Sequence, residues 1–191
     1  IDGIASWYTA MYGHCHPKLT KAISRQAKKL DQVVFTGFTH QAATDLADKL
    51  MGILPQNQKQ LFFSDNGSTS VEVAIKMALQ YHFNKGVKKQ TLIAFEDGFH
   101  GDTFGAMSVS GLSVYNGPFE EFFIRVERIP VPHKDNIEQV MSKLQHLSEI
   151  QDIAAFVYEP LIQGAAGMKM HDAVHLDRVL AFCKSKSILC I

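Results

Sequence analysis

Cysteine is scarce: three residues, Cys15, Cys183 and Cys190, in a chain of 191. The number is odd and no Cys-x-x-Cys pair occurs, which argues against a disulfide framework and for reduced thiols in a cytosolic setting. A charge surplus is missing too, since 19 Lys and Arg balance 19 Asp and Glu. Without a basic excess nothing advertises nucleic acid, and without an acidic excess nothing suggests a solvating tail. A small neutral ligand or a protein partner fits better. No apolar run approaches the length of a membrane span, and no charged-then-apolar leader opens the chain. The GxxxxGK[ST] phosphate loop and the Rossmann fingerprint are both absent, and there is no internal repeat, low-complexity stretch or linker. What is present is a composition 46% hydrophobic and 20% charged, enough for one large domain with a buried core. The first residue is Ile1, not Met, and the last five are the apolar SILCI. The chain is therefore expected to be a segment of a longer protein, cut at both ends.

Periodicity predicts an alternation of strands and helices. IDGIASWYTAMYG reads as extended, with β-branched and aromatic residues between glycines. Pro17 opens an amphipathic surface helix on which Leu19, Ile23, Ala27 and Leu30 recur at helical spacing and basic residues gather toward the end. THQAATDLADKLMGIL is a second helix, with Thr39 as its cap and Pro55 beyond its end. KQLFFSD reads as a short buried strand. The helix after it carries Val71, Ala74, Ile75, Ala78, Leu79 and His82 on one face and closes near Gly86. QTLIAFED, VERIPV and IAAFVYEP are strands, NIEQVMSKLQHLSEI is a helix, and HLDRVLAFCKSK is a helix feeding SILCI. The pattern is that of an α/β domain with a largely parallel sheet. Ligands in such sheets sit at the carboxyl ends of strands. Three glycine-bearing turns fall there, after Asp65, Phe95 and Tyr158.

In the first turn, a helix starting near Gly67 presents free N–H groups and the positive end of its dipole, and Ser68 and Thr69 add hydroxyls, so a phosphate would be well held. The plainer reading is an ordinary N-cap. In the second, EDGFHGDTFGAMSVSG, four glycines among aromatics suggest a loop that lays a flat ring against a ligand. Phe99 is the candidate ring, Phe104 reads as a core aromatic, and His100 as a structural hydrogen-bonder rather than a base. The third places Glu159 and Gln163 at a strand end, where a charged residue is unusual for packing and a structural ion pair is the alternative. His14, Cys15 and His16 are adjacent and cannot converge on one metal ion from an extended strand. His171 and His175 lie four apart, as helix-borne zinc ligands would, but lack a third ligand and read as a solvated face.

Taken together, NGSTSVEVAIKMA, GFHGDTFGAMSV, YEPLIQGAAGM and the upstream YGHCHP resemble, in order and at the right distances, successive blocks of the class III aminotransferases, enzymes of the type I pyridoxal-phosphate fold. Essentially the whole chain is covered. Within the class, SWYTAMYGHCHP, HGDTFGAMSV and QGAAGM look most like the biotin-synthesis branch, which moves an amino group from S-adenosylmethionine to 8-amino-7-oxononanoate. The resemblance implies pyridoxal 5'-phosphate as cofactor. It also implies an N-terminal extended segment and helix over 1–38, leading into a partial cofactor-binding large domain over 39–191. Gly67 and Ser68 match the positions that bind the cofactor phosphate, Phe99 the aromatic stacked on the pyridine ring, and Glu159 the acidic residue beneath the site. Trp7 and Tyr8 match aromatics lining the substrate pocket. The resemblance further implies a cytoplasmic homodimer with its active site at the interface.

Two departures bear on substrate. Phe99 stands where the biotin enzymes often have Tyr, which keeps the stacking and loses a phenolic hydrogen bond. Ala165 follows Gln163-Gly164 where many ornithine- and γ-aminobutyrate-type relatives have Glu, which favours the biotin branch. The Schiff-base lysine and the acidic partner of the pyridinium nitrogen lie, in the family, downstream of a strand like SILCI. No lysine here has the matching context; Lys76, for one, lies on the first phosphate-binding helix. No catalytic residue is therefore assigned, and the chain alone is not expected to transaminate. Two further readings stay open: another ω-amino acid aminotransferase taking a diamine or β-alanine-type donor, and a non-catalytic interaction module on the same fold.

Overall fold

All 191 residues are described by the computed structural model. Contacts divide them into two units, Ile1–Phe62 and Phe63–Ile191, whereas the sequence reading set its boundary at residue 38.

The first unit departs from expectation at its start. Residues 1–13 are not extended: Ala5–Tyr8 (α1) is a tight turn whose four residues have φ between 47° and 69°. L-residues enter this left-handed region at about 1–2 kcal/mol each. The Asp2 carboxylate braces the turn, accepting from Ile4 N at 3.2 Å and Ser6 Oγ at 2.8 Å and meeting His14 Nε2 at 2.8 Å. An alternation of β-branched and aromatic residues makes a strand only where a neighbour completes the ladder, and this segment has none. Pro17–Lys29 (α2) forms as its spacing predicts, with Pro17 in the first turn and Lys28 and Lys29 in the last. In Gln41–Met51 (α3) the cap is His40, not Thr39: its Nδ1 accepts from Ala43 N at 3.3 Å. The ring is held for this by stacking on Phe35 at 5.3 Å.

The segment 59–65 is not a strand. No strand of the sheet takes it as a neighbour, and Phe62 and Phe63 stay exposed at 65% and 41%. An apolar run states a wish for burial; it does not supply the partner.

The second unit begins with helix Gly67–Asn84 (α4) and continues through strand Thr91–Phe95 (β1) and helix Phe104–Val109 (α5). A 3₁₀ turn over Gly117–Phe122 then leads to Val126–Ile129 (β2), Ile137–Ile150 (α6) and Ile153–Val157 (β3). A small antiparallel hairpin, Ile162–Gln163 (β4) and Lys169–Met170 (β5), precedes Ala173–Ser185 (α7) and Leu189–Cys190 (β6). The main sheet is parallel in the order β2-β1-β3-β6. β1 and β3 are buried along their whole length, the reason their sequences are continuous apolar runs rather than alternating ones.

Alternate residues of these strands pack on opposite layers. Ile93, Phe95 and Phe156 join Val140, Leu144, Leu147, Val179 and Cys183 from α6 and α7. Leu92, Ala94, Ala155 and Val157 meet Ile75 and Ala78 from α4 and Val109 from α5. The small residues face the α4 side and let that helix lie close.

The β1–β3 register jumps between Thr91↔Ile153 and Leu92↔Ala155, leaving Ala154 as the extra residue of a bulge. Its carbonyl is met by His82 from the end of α4, which donates from Nε2 at 3.0 Å. Both residues are buried. From β1 the chain moves to β2 on one side, then passes over to β3 on the other. The carboxyl ends of β1 and β3 therefore flank a topological switch point, where open α/β sheets place their ligands.

Replacing His82 by Leu removes the donor to a buried carbonyl. His82→Leu is expected to lower the unfolding free energy by about 1–3 kcal/mol, read as a drop in the urea midpoint at unchanged slope.

Candidate functional site

The site grows from the start of α4. Asn66 closes a capping box: its Oδ1 accepts from Thr69 N at 2.9 Å, and Thr69 Oγ1 accepts from Asn66 N at 3.2 Å. Ser70 N is taken by Asn66 O at 3.0 Å. That leaves the N–H groups of Gly67 and Ser68 without an acceptor, at the positive end of an 18-residue helix with no acidic residue in its first turn. A Cβ built on Gly67 would meet nothing within 4 Å, so the approach is open. The N-cap and an anion cradle are thus compatible, because the cap uses one pair of donors and leaves the other.

The loop after β1 is bound to this helix start. Ser68 Oγ accepts from Asp102 N at 3.1 Å, which leaves the hydroxyl its own proton to donate. Gly101, at φ +128°, lies so close that a Cβ there would stand 2.2 Å from Ser68 Oγ. Only glycine satisfies both the angle and the space. The loop is closed behind by Gly111 N donating to Gly98 O at 2.7 Å and His100 N to Ser110 Oγ at 2.9 Å. From the end of β3, Glu159 accepts from Phe99 N and Gly164 N, each at 2.9 Å, one on each carboxylate oxygen. Its partners are peptide N–H groups, so the ion pair entertained from the sequence is not what it forms. Buried Gln163 donates to Glu96 O at 2.7 Å. All three glycine-bearing turns therefore meet, with the 98–102 loop between the other two.

Of the residues singled out in the sequence, Gly67, Ser68, Phe99 and Glu159 come together here, the Phe99 ring being half exposed. Trp7 and Tyr8 belong to the first unit and are exposed there. Three expectations are corrected. Phe104 is not a core aromatic; it is 54% exposed and meets Phe119 and Phe122 edge-on at 6.1 and 6.2 Å. His100 is not a hydrogen-bonder through its ring, for its buried Nε2 has no partner. Burial holds its pKa below the ordinary 6.5, against the opposing pull of Glu159, and keeps the ring neutral. His171 and His175 are not a solvated face. His171 is buried ahead of α7, donating from Nε2 to Glu159 O at 3.0 Å with its ring against Phe95, while His175 lies 3.4 Å from Asp172.

Glu72 and Arg128 were missed by the sequence reading. Glu72 Oε1 accepts from Gly105 N at 2.6 Å and Ala106 N at 3.3 Å. Arg128 donates to Ser108 O and Ser110 O, both at 2.8 Å through one terminal nitrogen. A signal for Glu72 was available: it stands one turn after Ser68 on the same helical face, the one charged residue of the stretch 66–75.

A parallel sheet with helices on both faces, and a helix N-terminus with free donors at its switch point, is the architecture of the type I pyridoxal-phosphate fold. Solved transaminases share it. An amine transaminase from an uncultivated Pseudomonas species superposes with a TM-score of 0.91 at 27% identity, covering 100% of this chain and 46% of that one. The adenosylmethionine-8-amino-7-oxononanoate aminotransferase of Methanocaldococcus jannaschii does so with 0.86 at 30%, over 93% and 41%. The family described as aminotransferase class-III matches residues 1–191, and the chain belongs to it. Among similar sequences, two proteins named adenosylmethionine-8-amino-7-oxononanoate aminotransferase stand out. That of Synechococcus elongatus is 41% identical over 100% of this chain and 47% of its own length. That of Corynebacterium glutamicum is 37% identical over 96% and 45%. The chain spans about half the length of the curated relatives it matches. No helix is long and apolar enough to cross a membrane.

Gly101→Ala forces a side chain into the left-handed region and into Ser68. It is expected to cost at least about 1–2 kcal/mol of stability from the backbone alone, measured by urea unfolding. His100 yields a pH signature. With its folded pKa lowered, its contribution is present above 6.5 and is lost as pH falls through the folded value. Stability of the wild type should therefore fall more steeply from pH 7 to pH 5 than that of His100→Asn.

Proposed function

We propose that the whole protein is a pyridoxal-phosphate-dependent aminotransferase that takes an amino group from S-adenosylmethionine and gives it to 8-amino-7-oxononanoate, in biotin synthesis. The observation that carries this is the pair of unpartnered N–H groups at Gly67 and Ser68, on a helix start bound through Ser68 Oγ to the loop that presents Phe99. A dianionic phosphate and a flat ring fit that arrangement: donors without acceptors, an open approach over Gly67, and an aromatic face half exposed beside them. Identity of 41% and 37% to proteins of that name supports the choice of substrates.

Bound pyridoxal phosphate supplies the electron sink that makes an amino group transferable. The residues of this chain hold and orient it. Gly67 and Ser68 take the phosphate, and Phe99 lies against the pyridine ring without the phenolic hydroxyl a Tyr would add. Glu159 fixes the backbone that carries Phe99 and draws Gly164 to it. Neutral His100 adds no charge beside the ring. Trp7 and Tyr8 line the substrate pocket, where an aromatic wall suits a long aliphatic keto acid and the adenosyl group of the donor. None of the chain's lysines is assigned the catalytic role. In this reading residues 39–191 are part of the cofactor-carrying domain and 1–38 lead into it. The protein works in the cytoplasm as a homodimer with its active site at the interface.

A second reading, an ω-amino acid or amine transaminase, is favoured by the TM-score of 0.91 to an amine transaminase. The test is a donor screen on the whole protein with 8-amino-7-oxononanoate as acceptor. Product is expected with S-adenosylmethionine and not with ornithine, γ-aminobutyrate or β-alanine. Failure with S-adenosylmethionine alongside turnover of one of the others, with its own keto-acid acceptor, overturns the biotin assignment and leaves the second reading.

A further inference from the structure

α5 is six residues long and five of them are buried. A helix that short does not hold itself, and its own cap residue contributes nothing: Thr103 makes no side-chain cap bond, and its buried Oγ1 has no partner at all. The missing cap comes from another helix. Glu72 of α4 accepts from Gly105 N and Ala106 N at the start of α5, a carboxylate placed at the positive end of the helix dipole. The fit is close, for a Cβ on Gly105 would stand 2.3 Å from a Glu72 carboxylate oxygen. One turn earlier on the same face of α4, Ser68 Oγ accepts from Asp102 N. Ser68 and Glu72 thus grip successive parts of one stretch, 102–106, that runs directly on from Phe99. The unpartnered N–H groups lie at the start of the same helix.

We infer that Glu72 is a positioning residue for the cofactor: by capping α5 from α4, it sets the loop bearing Phe99 in register with the helix start formed by Gly67 and Ser68. This rests on the reading of the site given under Proposed function. Phosphate-holding and ring-holding groups come from different elements, and a ligand that touches both needs their separation fixed before it arrives. Gly101 and Gly105 keep the two elements close; Glu72 keeps them in register. Glu72 need not touch the cofactor to do this.

The test measures pyridoxal-phosphate affinity and the visible circular dichroism of the bound cofactor, on the whole folded protein well below its melting temperature. The variants are Glu72→Gln, Glu72→Asp and Glu72→Ala, with His82→Leu as a destabilised control at the far end of α4. Glu72→Ala is expected to weaken cofactor binding about tenfold or more and to change the dichroism. Glu72→Asp, whose acceptor is drawn back, should show a smaller loss in the same direction. Glu72→Gln, which keeps an acceptor oxygen at full reach, should recover most of the affinity. His82→Leu should lose stability and leave affinity and dichroism unchanged. Wild-type affinity in Glu72→Asp, or in Glu72→Ala if it folds, overturns the inference, as does an equal loss in His82→Leu, which would make the effect one of general stability. If the wild-type protein itself does not bind the cofactor, the reading of the site falls first and this inference with it.

Discussion

The short helix α5 cannot cap itself, and the arrangement of the candidate site depends on who caps it. A carboxylate from α4 closes its N-terminus and a guanidinium from β2 closes its C-terminus, each with the sign that the helix dipole favours at that end. Held this way, α5 anchors one end of the 98–103 loop, while β1 anchors the other. Between the anchors the loop contributes N–H groups to Ser68 and Glu159. Its path is determined at nearly every residue by a neighbour from elsewhere in the chain. A loop tied so densely is a rigid part of the scaffold.

The sheet supplies the other half of that rigidity. Because α4 packs over small residues, Ala94, Ala154 and Ala155, it lies near enough for His82 to reach the carbonyl at the bulge. A polar group that would be orphaned inside the core becomes a fixed point linking the end of α4 to β3. The start of the same helix is linked to the β1 loop through Ser68. α4 is therefore attached at both ends, to the two strands whose carboxyl termini flank the switch point. Its free N–H groups are placed beside the β1 loop by the Ser68 bond at its start, while the His82 bond contributes stability at its far end.

Much of this was legible from residues alone. The buried strands β1 and β3 are apolar runs of the right length, α4 has its face marked by Ile75, Ala78 and His82, and two of the three glycine-bearing turns fall at strand ends where ligands sit, the first following a segment that is no strand. The failures share one cause. The 59–65 run and the first thirteen residues carry strand-forming side chains, but a strand exists only with a ladder partner. Phe104 was placed in the core on its hydrophobicity, yet the five residues after it occupy the buried positions of α5 and leave it at the rim. Thr39 lost the cap to His40 because stacking on Phe35 holds that ring where its nitrogen can accept.

Local chemistry, then, was determined by the sequence: which stretches are helical, which strands are buried, and that a helix opens at Gly67 and Ser68 with free N–H groups. These follow from propensity, period and capping, which act over a few residues. Only the tertiary structure decided that Glu72 caps a helix thirty-odd residues away, that Glu159 binds peptide N–H groups rather than a cation, and that Gly101 must be glycine. Each of those is a contact between segments distant in the chain. Hydrogen bonds and close approach have ranges of a few ångströms in space, and nothing in a linear spacing records which segments the fold will bring within that range.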